Sequence, residues 1–212
     1  SKAPETQKPE RKEKFMYFPS DMNFQYFFFS TYIGDFLQMI PIALLTCVGF
    51  TIYKKRREPS RPLWSAVLMS LFPAYLISLI GLTLFSRMIG DAYYILFYHQ
   101  MPWPEGEGGY RWLSLIYDFK LDFFWDFSAE NLGNILLFLP FGILYPLFHP
   151  ESTWRRTLVL GVVTSLVIEN IQPLMDRSFD INDIVLNTIG VAVSTVVFFS
   201  LRRFFGRKDD KN

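Results

Sequence analysis

The chain holds a single cysteine, Cys47, and only two histidines. One thiol excludes an intrachain disulfide framework and any zinc site built from several cysteines. A surplus of either charge is also missing: 21 Lys+Arg stand against 20 Asp+Glu in 212 residues, a net charge of +1. Without a basic excess the chain does not read as a nucleic-acid binder. Charged residues are only 19% of the total, where soluble domains carry about a quarter. Apolar residues are what it has: half the sequence is hydrophobic and 18% aromatic, with 23 Phe. That composition excludes a collagenous or wholly disordered chain. It points to a membrane protein, an all-α bundle in which the positions of the few charges carry the information.

The charges are bunched, leaving long clean runs. Phe36–Tyr53 has 18 residues without a charge, Trp64–Phe85 has 22, and Asn131–Phe148 and Ile184–Leu201 have 18 each. Each run approaches the roughly 20 residues a helix needs to cross a bilayer. A fifth, Thr157–Ile168, is apolar for 12 residues before Glu169-Asn170-Ile171-Gln172. It spans as far as Leu174 if those polar side chains face protein or water. Five transmembrane helices are expected, and no cleavable signal peptide. Pro41, Pro73, Pro140 and Pro146 fall inside the spans and read as kinks whose freed carbonyls find other donors.

Basic residues set the orientation. The loop Lys54-Lys55-Arg56-Arg57 to Arg61 is expected on the cytoplasmic side, which puts Ser86–Glu130 outside, His149–Arg156 inside, the turn at Asp176-Arg177 outside and the carboxyl terminus inside. The chain divides into a polar tail (1–14), an interfacial aromatic segment (15–32), the transmembrane domain (33–201) and a basic cytoplasmic tail (202–212). The tail at 1–14 is basic yet falls outside by parity. Within the outer loop, Ile89–Trp103 and Tyr110–Phe127 read as short helices on or in the outer leaflet.

Polar residues concentrate in Glu169–Thr188. Ionisable groups within a membrane are costly unless paired or facing water, so a functional site is the default expectation. Ser165, Glu169 and Gln172 share one helical face, and Asp180, Asp183 and Asn187 share another. With 1.5 Å of rise per residue, Glu169 lies roughly 20 Å above the inner end of its helix. Asn131, Asn134, Arg87 and Asp35 reach the same level from the other helices, while the inner half offers almost no polar group. A plainer role exists for each: Asn131 or Asn134, and Asp180 or Asp183, can cap helices, and Arg177 can pair across a surface turn. His99, His149 and Cys47 have no ligand-spaced partner.

These residues resemble the VanZ family of membrane proteins, named for a teicoplanin-resistance factor. The resemblance rests on Asn134-Ile-Leu-Leu-Phe-Leu-Pro-Phe-Gly142, on Glu169-Asn-Ile-Gln172, and on Arg177 with Asp180-Ile-Asn-Asp183-Ile-Val-Leu-Asn187-Thr-Ile-Gly190. Arg87 after Leu82-Thr-Leu-Phe85 fits the same pattern, and the likeness covers roughly 63–201. The family's outer-loop Asn-Leu-x-Pro-Phe-like element is replaced here by Leu113-Ser-Leu-Ile-Tyr117. The resemblance implies a multi-pass protein of the bacterial cell membrane linked to glycopeptide tolerance, and it supplies no reaction.

Three functions follow as expectations. In the first, an outward-facing site binds, and in its catalytic form modifies, a lipid-linked or cell-wall precursor. Glu169, Asp180 and Asp183 are then the catalytic carboxylates, as a general base or as oxygen ligands of a Mg²⁺- or Ca²⁺-like ion. Arg87 and Arg177 hold phosphate or carboxylate, and Asn134, Gln172 and Asn187 orient the substrate. No metal site is assigned, and cofactors stay open. In the second, a non-enzymatic module sequesters a precursor or a glycopeptide, using membrane lipid and the aromatic outer loop as its surroundings. The third, a transporter, requires a polar track continuing inward. The net charge itself resolves into two faces: +8 on the inner loops and tail (+4 over 54–62, +1 over 149–156, +3 over 202–212) and −7 outside (−4 over 86–130, −3 over 169–183).

Overall fold

A computed structural model of the chain describes residues 23–100, 102, 116–125, 127–175 and 177–209. The expected tail at 1–14, the first part of the interfacial segment and the 113–115 stretch lie outside them. Five helices are long and apolar enough to cross a membrane. They are α2 (Tyr32–Arg57), α3 (Leu63–Leu84), α5 (Ala129–Phe148), α6 (Trp154–Ile171, extended by a 3₁₀ turn Gln172–Met175) and α7 (Ile181–Asp209). Each covers one of the five runs read from the sequence, α3 stopping one residue short of the end of its run. Two shorter helices, α1 (Phe24–Ser30) and α4 (Ser86–Tyr98), complete the helical part.

Short polar side chains start the helices by taking up free amide groups. Asn23 Oδ1 accepts from Tyr26 N at 2.8 Å, Thr31 Oγ1 from Gly34 N at 3.0 Å, Ser128 Oγ from Asn131 N at 3.2 Å and Thr153 Oγ1 from Arg156 N at 3.3 Å. Helix α5 is therefore capped by Ser128, which leaves Asn131 and Asn134 free of that duty. All four prolines sit within helices. The carbonyl three residues before Pro41 (Gln38) receives the Tyr93 hydroxyl at 3.1 Å, and that before Pro140 (Leu137) receives Tyr75 at 3.0 Å. Side-chain hydroxyls thus serve carbonyls that a proline kink opens.

The core is built by α3, α5, α6 and α7, with Phe72, Leu79, Phe138, Phe141, Tyr145, Ile168 and Val191 buried together. Helices α5 and α7 run parallel and approach closely. Gly142 faces Ser194 and Thr195, Gly190 faces the Ile135 carbonyl, and Gly161 on α6 faces Val191. Small residues permit such backbone approach between membrane helices. Much apolar surface points outward, including Leu45 and Val196, as a lipid-facing bundle requires. Helix α1 packs on α4 through rings: Phe28 lies 5.5 Å from Tyr93 and 5.7 Å from Phe97.

Two sequence expectations need correction. The described part of Tyr110–Phe127 is a short strand followed by a turn at 123–125, not a helix. Strand β1 (Tyr117–Asp118) pairs in parallel with β2 (Phe179–Asp180), and Phe179 N donates to Ile116 O at 3.0 Å. The α7 amino terminus holds this segment in place: Asn182 Nδ2 donates to Asp122 Oδ1 at 2.9 Å, and Asn182 Oδ1 accepts from Asp122 N at 3.2 Å. Nor is the opposite half of the bundle nearly free of polar groups. Ser70, Thr157, Ser194 and Thr195 are buried there. Three of these hydroxyls donate to carbonyls of their own helix, Ser70 to Val67, Thr157 to Thr153 and Ser194 to Gly190, so they cross the membrane without charge.

Candidate functional site

The ends of α3 and α6 and the starts of α2, α5 and α7 meet at one end of the bundle. Direct contacts join them. The Tyr32 hydroxyl donates to Glu130 Oε1, linking α2 and α5. Asn134 Nδ2 donates to Asp183 Oδ1 at 2.5 Å, linking α5 and α7. Asp180 N donates to Glu169 Oε2 at 3.4 Å, linking α6 to the β2–α7 junction. Arg177 Nη1 donates to Thr83 O at 3.3 Å, tying the α6–α7 connection to the end of α3.

Within this end Glu169 is the deepest charge-bearing group, with 1% of its surface exposed. It shares a buried face of α6 with Ser165 and Gln172, as the i, i+4, i+7 spacing anticipates. Asp183 and Asn134 are half-buried. Asp183 acts electrostatically on Glu169, and Arg177 acts on both carboxylates and on Asp35. One turn deeper, Asn187 Nδ2 donates to Ser165 Oγ at 3.0 Å. The Asn187 Oδ1 is buried and has no hydrogen-bond partner among the described residues.

Asp180 takes a different part. Helix α7 begins at Ile181, so Asp180 precedes the helix, and its Oδ1 accepts from Asn182 N at 2.8 Å. This is the capping geometry of a helix amino terminus. Burial pushes the Asp180 carboxyl above the usual aspartate range, against the Asn182 N–H, which favours the anion.

Seven of the eight residues expected in the site thus gather on or beside the α5–α6–α7 junction. Gln172 contributes its buried position and, through its carbonyl, a bond from Arg177 N at 3.1 Å. Arg87 goes elsewhere. The helix is interrupted at Phe85 between α3 and α4, and Arg87, on the first turn of α4, lines a cavity with Asp35, Gln38 and Asp91. Sequence reasoning missed Gln38, although it is the lone amide in the charge-free run Phe36–Tyr53. It also missed Asn182, which only the folded loop brings into play, and Tyr32 and Glu130, which meet only across α2 and α5.

Chemically, the junction offers a buried carboxylate, a second carboxylate held by an amide, an arginine with donors beyond its bond to Thr83, and an unpaired amide oxygen. Among the described residues no group of three or more acidic, histidine or cysteine side chains is arranged to hold a metal ion.

The fold and its charged, buried junction define a multi-pass helical membrane protein with a polar end. The VanZ/LLP1 family model matches residues 72–203, and the chain belongs to that family. No curated protein and no solved structure matches the chain. The matched segment includes all eight expected site residues and leaves out α1 and α2.

Proposed function

We propose that the Glu169–Asp183 junction binds the polar head of a lipid-linked or cell-wall precursor at the outer face of a bacterial cell membrane, and that this underlies glycopeptide (teicoplanin) resistance. The observation that carries the reading is Glu169 itself. A carboxylate almost wholly buried on a membrane helix, with one 3.4 Å backbone donor among the described residues, is poorly compensated by them alone. A ligand that supplies donors to Glu169 and to the unpaired Asn187 Oδ1 would compensate both. Arg177 forks onto the phosphate or carboxylate of the same ligand, and Asn134 fixes Asp183 beside it. In the catalytic form of the proposal Glu169 is the general base and Asp183 its acidic neighbour, while Asp180 shapes the α7 terminus.

A second reading, a non-enzymatic module that sequesters precursor or antibiotic, is favoured by exposed aromatic side chains on the neighbouring 116–125 segment, where Trp125 is 90% exposed. A transport role finds less support, because the described buried polar groups toward the other end are hydroxyls, three of them bonded to their own helix.

Glu169→Gln keeps shape and removes the charge. Expressed at wild-type level in a teicoplanin-sensitive bacterium, it is expected to lose the resistance the wild type confers. In the catalytic form of the proposal the purified variant, assayed by native mass spectrometry for bound lipid-linked precursor, should still bind. Loss of both resistance and binding assigns Glu169 to recognition. Unchanged resistance removes Glu169 from any reaction, and resistance lost only with the aromatic segment replaced supports sequestration.

A further inference from the structure

Helices α1, α2 and α4 border a half-open cavity of about 470 Å³ whose described lining includes neither Glu169 nor Asp183. Its polar lining includes Asp35 and Gln38 from α2 and Arg87 and Asp91 from α4, with uncharged amides and hydroxyls from the α1 segment and from Ser86, and Tyr26, Phe29 and Tyr94 supply aromatic surface. Gln38 is the decisive group. It is 1% exposed, and its Nε2 donates to Phe28 O at 2.7 Å. That bond fixes which end of the amide is which, and the remaining Oε1 has no partner among the described residues. A Cβ placed on Gly90, another lining residue, would lie 3.4 Å from that oxygen, so the glycine keeps the space before it open. A buried carbonyl oxygen left without a donor carries a desolvation cost that a ligand N–H would remove.

Asp35 lies one turn before Gln38 on the same face of α2 and is half-buried. Arg87 and Asp91 each already have an interaction of their own within the fold, and Arg177, which does not line the cavity, acts on Asp35 from outside it, so the ligand chemistry rests on Asp35 and Gln38, a carboxyl group and a neutral amide acceptor. Acceptors of this kind beside aromatic rings recognise a cation that carries N–H donors. We propose that this cavity binds a primary ammonium group, as on an aminophospholipid headgroup or a small free amine, with its N–H groups donated to the Asp35 carboxylate and Gln38 Oε1. Both residues lie outside the segment 72–203 matched by the family model, so the proposal does not rest on the function of the Glu169 junction.

The test is lipid retention by the purified full chain, read by native mass spectrometry after exchange into equimolar phosphatidylethanolamine, phosphatidylcholine and phosphatidylglycerol, with soluble ethanolamine as a competitor. Phosphatidylethanolamine should be retained at least about tenfold over the other two, the scale of hydrogen bonds to a charged group. Displacement by ethanolamine assigns recognition to the ammonium alone, and resistance to displacement assigns the lipid as the source. Asp35→Asn should reduce the preference to near parity, and Gly90→Leu should do the same by filling the cavity from its other wall. Equal retention of the three lipids by the wild type overturns the proposal. So does an undiminished preference in Asp35→Asn or in Gly90→Leu.

Discussion

At the scale of single residues, the sequence shows its site where a polar group interrupts apolar surroundings. Glu169, Asp183 and Asn134 were legible for that reason, because burying such groups is costly and seldom incidental. Arg87 was visible as a residue but not in its place: the break at Phe85 has no glycine or proline to announce it, and it turns the arginine toward α2. The Asn134–Asp183 bond permits a direct measurement. In a double-mutant cycle with Asn134→Ala and Asp183→Ala, thermal or denaturant unfolding in detergent should give a coupling of about 1–3 kcal/mol. Additive effects would show that the two side chains do not share a bond. Asp180 gives a pH-dependent case. Its folded-state pKa lies above the unfolded value, so ionising it opposes folding; the penalty is present above the folded pKa and vanishes below the unfolded pKa of about 4. Asn caps as well as Asp. Asp180→Asn should therefore melt at or above the wild-type temperature at pH 7, with the difference closing as pH falls toward that value. Asp180→Ala, which loses the cap, should cost about 1 kcal/mol. A melting difference that grows in acid would contradict this account.

At the scale of elements, the five spans were readable because charge-free runs of this length seldom occur except in helices that cross a bilayer. The β1–β2 pair was not readable, since two-residue strands leave no periodicity and form only where Asn182 clamps the 116–125 segment against α7. Helix-to-helix distance was likewise hidden, because glycine in a membrane helix marks either a close contact or nothing. Helix α5 holds one of each. A Cβ on Gly142 would meet the Thr195 backbone nitrogen at 2.6 Å, whereas one on Gly133 meets nothing within 4 Å. Gly142→Ala must separate α5 from α7 at this contact and is expected to destabilise by about 1–3 kcal/mol, as overpacking does. Gly133→Ala should stabilise by roughly 0.5–1 kcal/mol through helix propensity. Opposite shifts in melting temperature for the two variants are the expected result, and a neutral Gly142→Ala would mean that the α5–α7 contact is looser than described.

At the scale of the whole molecule, charge is segregated between the two ends of the bundle. Lys54, Lys55, Arg56 and Arg57 close α2, and Arg61 follows in the turn before α3. There Lys55 Nζ donates to Pro59 O at 2.8 Å and to Arg61 O at 2.7 Å, so the basic turn is held by its own backbone. Glu58, drawn below the usual carboxylate range by the Arg61 guanidinium and then by Lys54, stays ionised without cancelling the excess. Arg202 and Arg203 lie toward the far end of α7, on the same side as that turn because α2 and α7 both begin at the polar end. Each basic group near an anionic leaflet contributes about 1 kcal/mol of attraction, so these clusters together favour one orientation strongly. In the proposed orientation the Glu169 junction faces away from the cytoplasm. Single-cysteine labelling in intact bacterial cells tests this, starting from Cys47→Ser, a replacement that keeps a donor beside Ser70. An impermeant maleimide should label Lys120→Cys, beside the junction, without lysis, and should label Ser60→Cys, in the basic turn, only after lysis. The reverse pattern would turn the junction toward the cytoplasm, where an extracellular glycopeptide or an exported precursor could not reach it, and the proposed function would fail with the orientation.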